Sequence, residues 1–274
     1  MLDLSRINFY LKLSRPIIWI IILPYYLFPL GGRLDLLATW RFWLGLLYFT
    51  FPVNIMMFGI NDMADTDVDK YNPRKAHDYF GNQASKSDLF GLWKVILVSN
   101  MIPLGIMSII TADWIFHSGY FIVALSLNIL YNLKPFAFAR KAPWDLPFTP
   151  VGFLILVTLA CHLNQVPLPK AGKSKLAKLS SLCVTLPDSL FDLSSPSGPC
   201  LFYASSTLTN HMVAELLDID CDALGGKRTT AVVIGKAYTY AFIGALILVQ
   251  LLVSADCSLA APPSSKSSSF SLRY

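Results

Sequence analysis

Asn61-Asp62-Met63-Ala64-Asp65-Thr66-Asp67-Val68-Asp69 follows directly on an apolar run that starts near residue 40. At helical pitch Asp62, Asp65 and Asp69 recur at i, i+3 and i+7 and share one face, with Asn61 at its edge one turn before Asp65. Like charges at that spacing repel one another. Ionisable groups at the end of a membrane-grade segment are functional candidates, because leaving them there is costly. A hard divalent cation would relieve the repulsion, and Mg²⁺ characteristically takes one or two carboxylates plus phosphate oxygens of a substrate. The plainer reading is a solvated acidic helix end.

A second cluster favours the metal reading. Glu215, Asp218 and Asp222 repeat the i, i+3, i+7 spacing, while Asp220 points to another side. Each acidic stretch is trailed by bases: Lys70, Arg74 and Lys75 after the first, Lys227 and Arg228 within Gly225-Gly226-Lys227-Arg228-Thr229-Thr230 after the second. Two acidic helical faces, each with basic followers, predict two metal sites around one polyanionic ligand, most simply a diphosphate.

Composition sets the surroundings. Of 274 residues, 54% are hydrophobic and 14% charged, well below the roughly 25% charge of soluble domains; mean hydropathy is +0.53. This predicts an all-α polytopic helical bundle in a lipid bilayer. The net charge of +5 does not indicate nucleic acid, since the bases are scattered among loops without a stripe or a known module. No secretory signal or transit-peptide character stands apart from the first span. Cys161, Cys183, Cys200, Cys221 and Cys257 form no C-x-x-C pair, and His77, His117, His162 and His211 lack metal-ligand spacing, so both sets read as structural.

Taken in order, Ser14-Arg15-Pro16 opens a span over 16–32, and a second over 40–60 delivers the first acidic motif. Residues 61–87 read as a long polar loop, a lid whose Arg74 and Lys75 reach phosphate. Further spans are expected over 89–112, 114–131 and 146–165; Tyr131-Asn132-Leu133-Lys134-Pro135 and Arg140 follow the fourth. Residues 1–165 thus form an amino-terminal transmembrane half. Residues 166–199 are an atypical polar insert, because no window there supplies the ~20 apolar residues a crossing needs. Residues 200–256 form a partial carboxy-terminal half, with a hydroxyl-rich span over 200–217 and another over 237–255. Residues 257–274 read as a disordered tail. Placing the loops after spans two, four and six on one side gathers most Lys and Arg there, and with them both acidic motifs.

These residues resemble the UbiA superfamily of intramembrane prenyltransferases. The family's NDxxDxxxD is matched by Asn61, Asp62, Asp65 and Asp69, and its DxxxD by Asp218 and Asp222 with Gly226, Lys227, Arg228 and Thr229 trailing. Its tyrosine- and proline-bearing connection is matched by Tyr131, Lys134 and Pro135, and Ser14-Arg15-Pro16 also fits. The resemblance covers roughly 10–165 and 208–250. It implies nine spans in two halves around a cavity, of which about seven are visible here, and Mg²⁺, an isoprenoid diphosphate donor and a lipophilic acceptor. The chain departs from the pattern at 166–199, in the two absent spans, and at Ala223, where the family often has Arg.

The expected chemistry is prenyl transfer. Asp62, Asp65 and Asp69 hold one Mg²⁺, and Asp218 and Asp222 the other, with Asn61 supporting the first. Arg74, Lys75, Lys227 and Arg228 stabilise the diphosphate as the allylic C–O bond breaks, and Lys134 is a further substrate contact. Tyr131 offers its ring face to the cation; its plain alternative is an interfacial belt aromatic. Two other readings stand beside this one: a terpene cyclase using the same site, and a truncated inactive isoform acting as a membrane binding protein.

Overall fold

The computed structural model describes residues 4–76, 84–167 and 198–259. Among these, the elements are α1 Leu4–Leu13, α2 Trp19–Leu27, α3 Trp40–Tyr48, α4 Phe51–Asp69, α5 Leu92–Thr111, α6 Trp114–Asn132, α7 Asp145–Leu163, α8 Gly198–Leu224 and α9 Thr230–Leu259. The extended pairing among them is a single bridge between Lys141 and Arg228. Among the described residues, five stretches are long and apolar enough to cross a membrane: 40–69, 92–111, 114–132, 145–163 and 230–254. Leu4–Leu13 and Pro16–Leu30 make a sixth if taken together, bent by 44°. The chain is an all-α, multi-pass integral membrane bundle.

Most expected spans coincide with helices, and the differences have local causes. The first, expected over 16–32, corresponds to Pro16–Leu30, and the chain bends just ahead of it at Arg15, which takes φ 52 and ψ 70 before Pro16; the helical region is disfavoured for the residue before a proline. The segment expected over 200–217 is the middle of the 27-residue α8. Its hydroxyls keep it outside the apolar group, and they bond back to their own helix: Ser205 to Leu201, Thr207 to Tyr203 and Thr209 to Ser205. The last span starts earlier than expected, at Thr230, and passes Gly235 at φ 80 and ψ 166. That conformation is essentially restricted to glycine.

The acidic stretch 61–69 belongs to α4, so the polar loop begins at Lys70 rather than at 61. The lid expectation for 77–83, most of the insert (168–197) and the tail from 260 lie outside the described residues. So does His77.

The centre of the bundle is α4. It buries residues on every side, from Pro52 through Met56 and Ile60 to Asp62, Asp65 and Val68. Pro52 sits in its first turn, where a missing N–H costs nothing. The carbonyl of Pro52 accepts from Asn100 Nδ2 at 2.9 Å, and Asn100 Oδ1 accepts from Tyr48 Oη at 2.9 Å. On the other side Tyr26 Oη donates to the Phe42 carbonyl at 2.7 Å and accepts from Asn164 Nδ2 at 3.0 Å. In a bilayer such bonds replace the water that would otherwise satisfy these groups. α5 and α6 pack on α4, α7 packs on α2 and α6, and α8 packs on α7, α4 and α9. The outer faces are apolar, as lipid contact requires: Val98, Met101, Ile109, Ile115, Ile122, Leu248 and Leu252 are exposed.

Candidate active site

Three segments meet at one end of the bundle: the end of α4 with residues 70–76, the α6–α7 connection, and the α8–α9 connection. Backbone bonds tie the last two together, with Ala142 N donating to the Arg228 carbonyl at 2.7 Å and Arg228 N to the Arg140 carbonyl at 3.3 Å. The two acidic motifs, about 150 residues apart in the chain, therefore face each other across a short gap.

Lys227 spans that gap. Its Nζ lies 2.6 Å from Asp65 Oδ2 and 3.3 Å from Asp222 Oδ1. Burial works against its charge, yet Asp65 and Asp222 more than offset this and hold the ammonium above its ordinary range. Burial pushes the Asp222 carboxyl up despite Lys227, with Asp218 and Asp65 adding to the effect. Asp65 also accepts from Arg140 Nη2 at 2.8 Å and from Asn61 Nδ2 at 3.1 Å. Arg140 reaches Asp67 at 2.7 Å as well.

The rest of the first motif is held from two directions. Asp62 Oδ1 accepts from Arg15 Nη2 at 2.7 Å and from Lys75 Nζ at 2.5 Å. Lys75 is itself buried and also pairs with Asp69. Arg74 pairs with Asp218, whose Oδ1 further accepts from Asn72 Nδ2 at 2.7 Å. Asn72, Arg74 and Lys75 thus fasten the α4 end to both motifs. Asn61 carries the contact onward to Asn132 Oδ1 at 3.0 Å, fixing α6 against the site.

Not every expected side chain joins this cluster. Arg228 contributes its backbone, and its exposed side chain makes no ion pair among the described residues. Lys134 is exposed and borders an open cavity of about 530 Å³ that Asn132 and Arg140 of the cluster also line, with Lys70, Lys86 and Asp67. Tyr131 lies off the ionic network, its ring centroid 5.9 Å from Phe148 and 6.4 Å from His211. Glu215 turns away from Asp218 and Asp222, its Oε2 accepting from Ala231 N at 3.0 Å.

Sequence reasoning passed over Arg15, Asn72 and Asn132 as site residues, and left the connection that carries Arg140 between a positive-inside loop and a phosphate contact. Arg15 did carry a signal. It stands just before a proline, and in the structure it holds a left-handed backbone, uncommon for a non-glycine residue and enriched at functional sites. Its guanidinium stacks 4.6 Å from the Phe58 ring on its way to Asp62.

The donor set suits a hard cation. All five aspartates of the two motifs offer carboxylate oxygens, the ligand type Mg²⁺ prefers. Asp62 Oδ2 is buried with no hydrogen-bond partner, an arrangement that costs free energy unless something binds it. Against the five motif carboxylates stand Arg15, Arg74, Lys75, Arg140 and Lys227, so the cluster is close to neutral as it stands.

The chain is similar to lycopene elongase/hydratases. It is 44% identical over 75 residues to one from Corynebacterium glutamicum, covering 26% of this chain and 25% of that protein. It is 25% identical over 223 residues to one from Haloferax volcanii (77% of this chain, 59% of the relative) and 25% identical over 246 residues to one from Haloarcula japonica (88% and 68%). The chain therefore spans between a quarter and about two thirds of the length of these curated relatives. No protein-family model and no solved structure matches it.

The two motif segments also pack closely at Gly225. A Cβ there would lie 2.6 Å from Val68 Cγ1 and 2.7 Å from Cγ2. Gly225→Ala is expected to push α4 and the α8–α9 connection apart, destabilising the protein by about 1–3 kcal/mol as overpacking does. Val68→Ala in the same chain should restore much of the loss, a coupling that thermal melts of the two single variants and the double variant measure.

Proposed function

We propose that the chain is a Mg²⁺-dependent intramembrane prenyltransferase of the UbiA type, moving a prenyl group from an isoprenoid diphosphate to a lipophilic acceptor of the carotenoid class. The observation that carries this reading is Lys227 seated between Asp65 and Asp222, which makes one site of two distant acidic motifs. The names of the relatives supply the acceptor class.

Mg²⁺, when held by Asp62, Asp65, Asp69, Asp218 and Asp222, supplies Lewis-acid charge to the leaving diphosphate. The protein's own cations complete the neutralisation. Arg74 and Lys75 sit beside the aspartates, close enough to take diphosphate oxygens, and Lys227 and Arg140 hold Asp65 in place. Diphosphate leaves with the electron pair of the allylic C–O bond. The allylic cation then faces an apolar bundle interior that excludes water, with Tyr131 and Phe148 presenting ring faces.

The test is product formation by detergent-solubilised protein given lycopene and, in turn, dimethylallyl, geranyl and geranylgeranyl diphosphate. A lycopene species heavier by one prenyl unit supports transfer. A cyclic hydrocarbon formed equally well without lycopene would replace this reading with the cyclase one. Binding of the diphosphate without any product would point to a membrane binding protein. Arg74 and Asp218 are both part-exposed, so Arg74→Gln should leave the fold intact. It is expected to raise the donor KM about tenfold, ~1.4 kcal/mol, the scale of one charge-assisted hydrogen bond.

A further inference from the structure

Three ionisable groups lie beside this site and take no part in the ionic network. Asp145 opens α7, and His211 and Glu215 stand one turn apart on α8. Their ligand-type atoms lie within 4.8 Å of one another. Asp145 is fully buried and Glu215 nearly so, while His211 keeps 12% of its side chain exposed. The carboxylates are fixed by the start of α9. Asp145 accepts from Thr230 N and Thr230 Oγ1, both at 2.6 Å, and Glu215 from Ala231 N. Thr230 is three residues after Lys227, so this triad is tied mechanically to the gap between the acidic motifs.

The triad gathers two carboxylates and an imidazole at one buried place beside the site. Prenyl transfer to an alkene acceptor releases one proton per turnover, and that proton needs an acceptor. The motif aspartates are poor candidates. Asp62, Asp65, Asp69, Asp218 and Asp222 each already pair with a lysine or arginine, and they are the carboxylates a metal would take. His162 pairs with Asp113, just before α6; the other end of that 19-residue helix, at Asn132, touches the site, which places His162 about 28 Å away. His211 is close: its ring is 6.4 Å from that of Tyr131.

We propose that His211, backed by Glu215 and Asp145, accepts the proton that ends prenyl transfer; this rests on the transfer reading above. Glu215 Oε1 lies 3.1 Å from His211 Nε2. His211 Nε2 is buried and makes no hydrogen bond among the described residues. With the proton assigned to Nε2, facing the carboxylate, Nδ1 is left as the accepting nitrogen. The donor's C–O bond breaks and its electron pair leaves on diphosphate. The acceptor's double-bond pair forms the new C–C bond. The resulting acceptor cation gives up a C–H proton to His211 Nδ1, and the C–H pair forms the new double bond.

The experiment compares diphosphate release with prenylated product in His211→Gln, using allylic diphosphate, lycopene and Mg²⁺. Release within about threefold of wild type, with the share of released diphosphate ending in product down at least tenfold, is the expected result. Equal loss of both, or an unchanged share, would overturn the assignment and leave His211 as a packing residue. His211→Asn is read by the same ratio should the first variant not fold, and failure of both to fold would assign the triad to structure. Metal analysis of the wild type supplies a second arm. One equivalent of zinc or manganese per chain that His211→Gln abolishes would make the triad a metal site and overturn the proton role. Absence of any Mg²⁺-dependent release by wild type would instead overturn the transfer reading, and this proposal with it.

Discussion

Asn in place of Asp65 is expected to lower Mg²⁺-dependent diphosphate release by at least a thousandfold, about 4 kcal/mol of lost transition-state stabilisation. Asp65 is the hub of the site: Lys227, Arg140 and Asn61 all donate to it, and it lies at the point where the two motifs meet. The substitution keeps the shape and removes the charge. Lys227 and Arg140 then lose a buried partner, and breaking a buried ion pair from one side costs about 3–5 kcal/mol. Stability therefore falls as well, and a melt must accompany the rate. The two effects separate through the metal. Ligand binding raises the melting point of the folded state, so Mg²⁺ should stabilise wild type and do so little or not at all in Asp65→Asn. A variant that melts lower yet gains as much from Mg²⁺ as wild type would mean that Asp65 holds the fold and not the metal.

Removing Lys227 should produce the second large effect, with the opposite metal signature. Lys227→Met leaves Asp65 with Arg140 and takes from Asp222 its nearest cation. The loss of stability is expected near 3 kcal/mol without divalent cation, at the lower end for a broken buried pair because Asp65 keeps a partner. Mg²⁺ should then stabilise this variant more than it does wild type, since the metal takes over the charge that the ammonium supplied. Diphosphate release should still fall about a hundredfold, because Lys227 also positions Asp65. Melting curves with Mg²⁺ and with EDTA check the first claim and steady-state release the second. Equal Mg²⁺ stabilisation of variant and wild type would show that Lys227 and the metal do not share ligands.

Much of this was legible in the sequence. The apolar runs mark out most of the helices, and the i, i+3, i+7 spacing places Asp62, Asp65 and Asp69 on one face of α4. What was missed followed from interactions with no local signature. Arg140 and Asn132 reach the site through the fold of the α6–α7 connection, which residue spacing cannot encode. Glu215 matched the period of Asp218 and Asp222, yet it faces the start of α9. A spacing of three places residues near one stripe without saying which neighbour each side chain meets. Lys134 was grouped with the site by the resemblance, and Arg228 by the resemblance and its place after the second motif, but a basic residue beside a motif is as free to face solvent. The span expected over 237–255 begins just past a kink at Gly235, and a further helical stretch from Thr230 precedes that kink.

The most direct test of the central claim, one Mg²⁺-dependent site built from both acidic motifs, is diphosphate release from geranylgeranyl diphosphate by the solubilised wild-type chain with Mg²⁺ and with EDTA. The account predicts release with the metal, none with the chelator, and none in either condition when Asp65 or Asp222 is replaced by Asn. Release that survives EDTA, or that survives loss of the second motif while depending on the first, would contradict it.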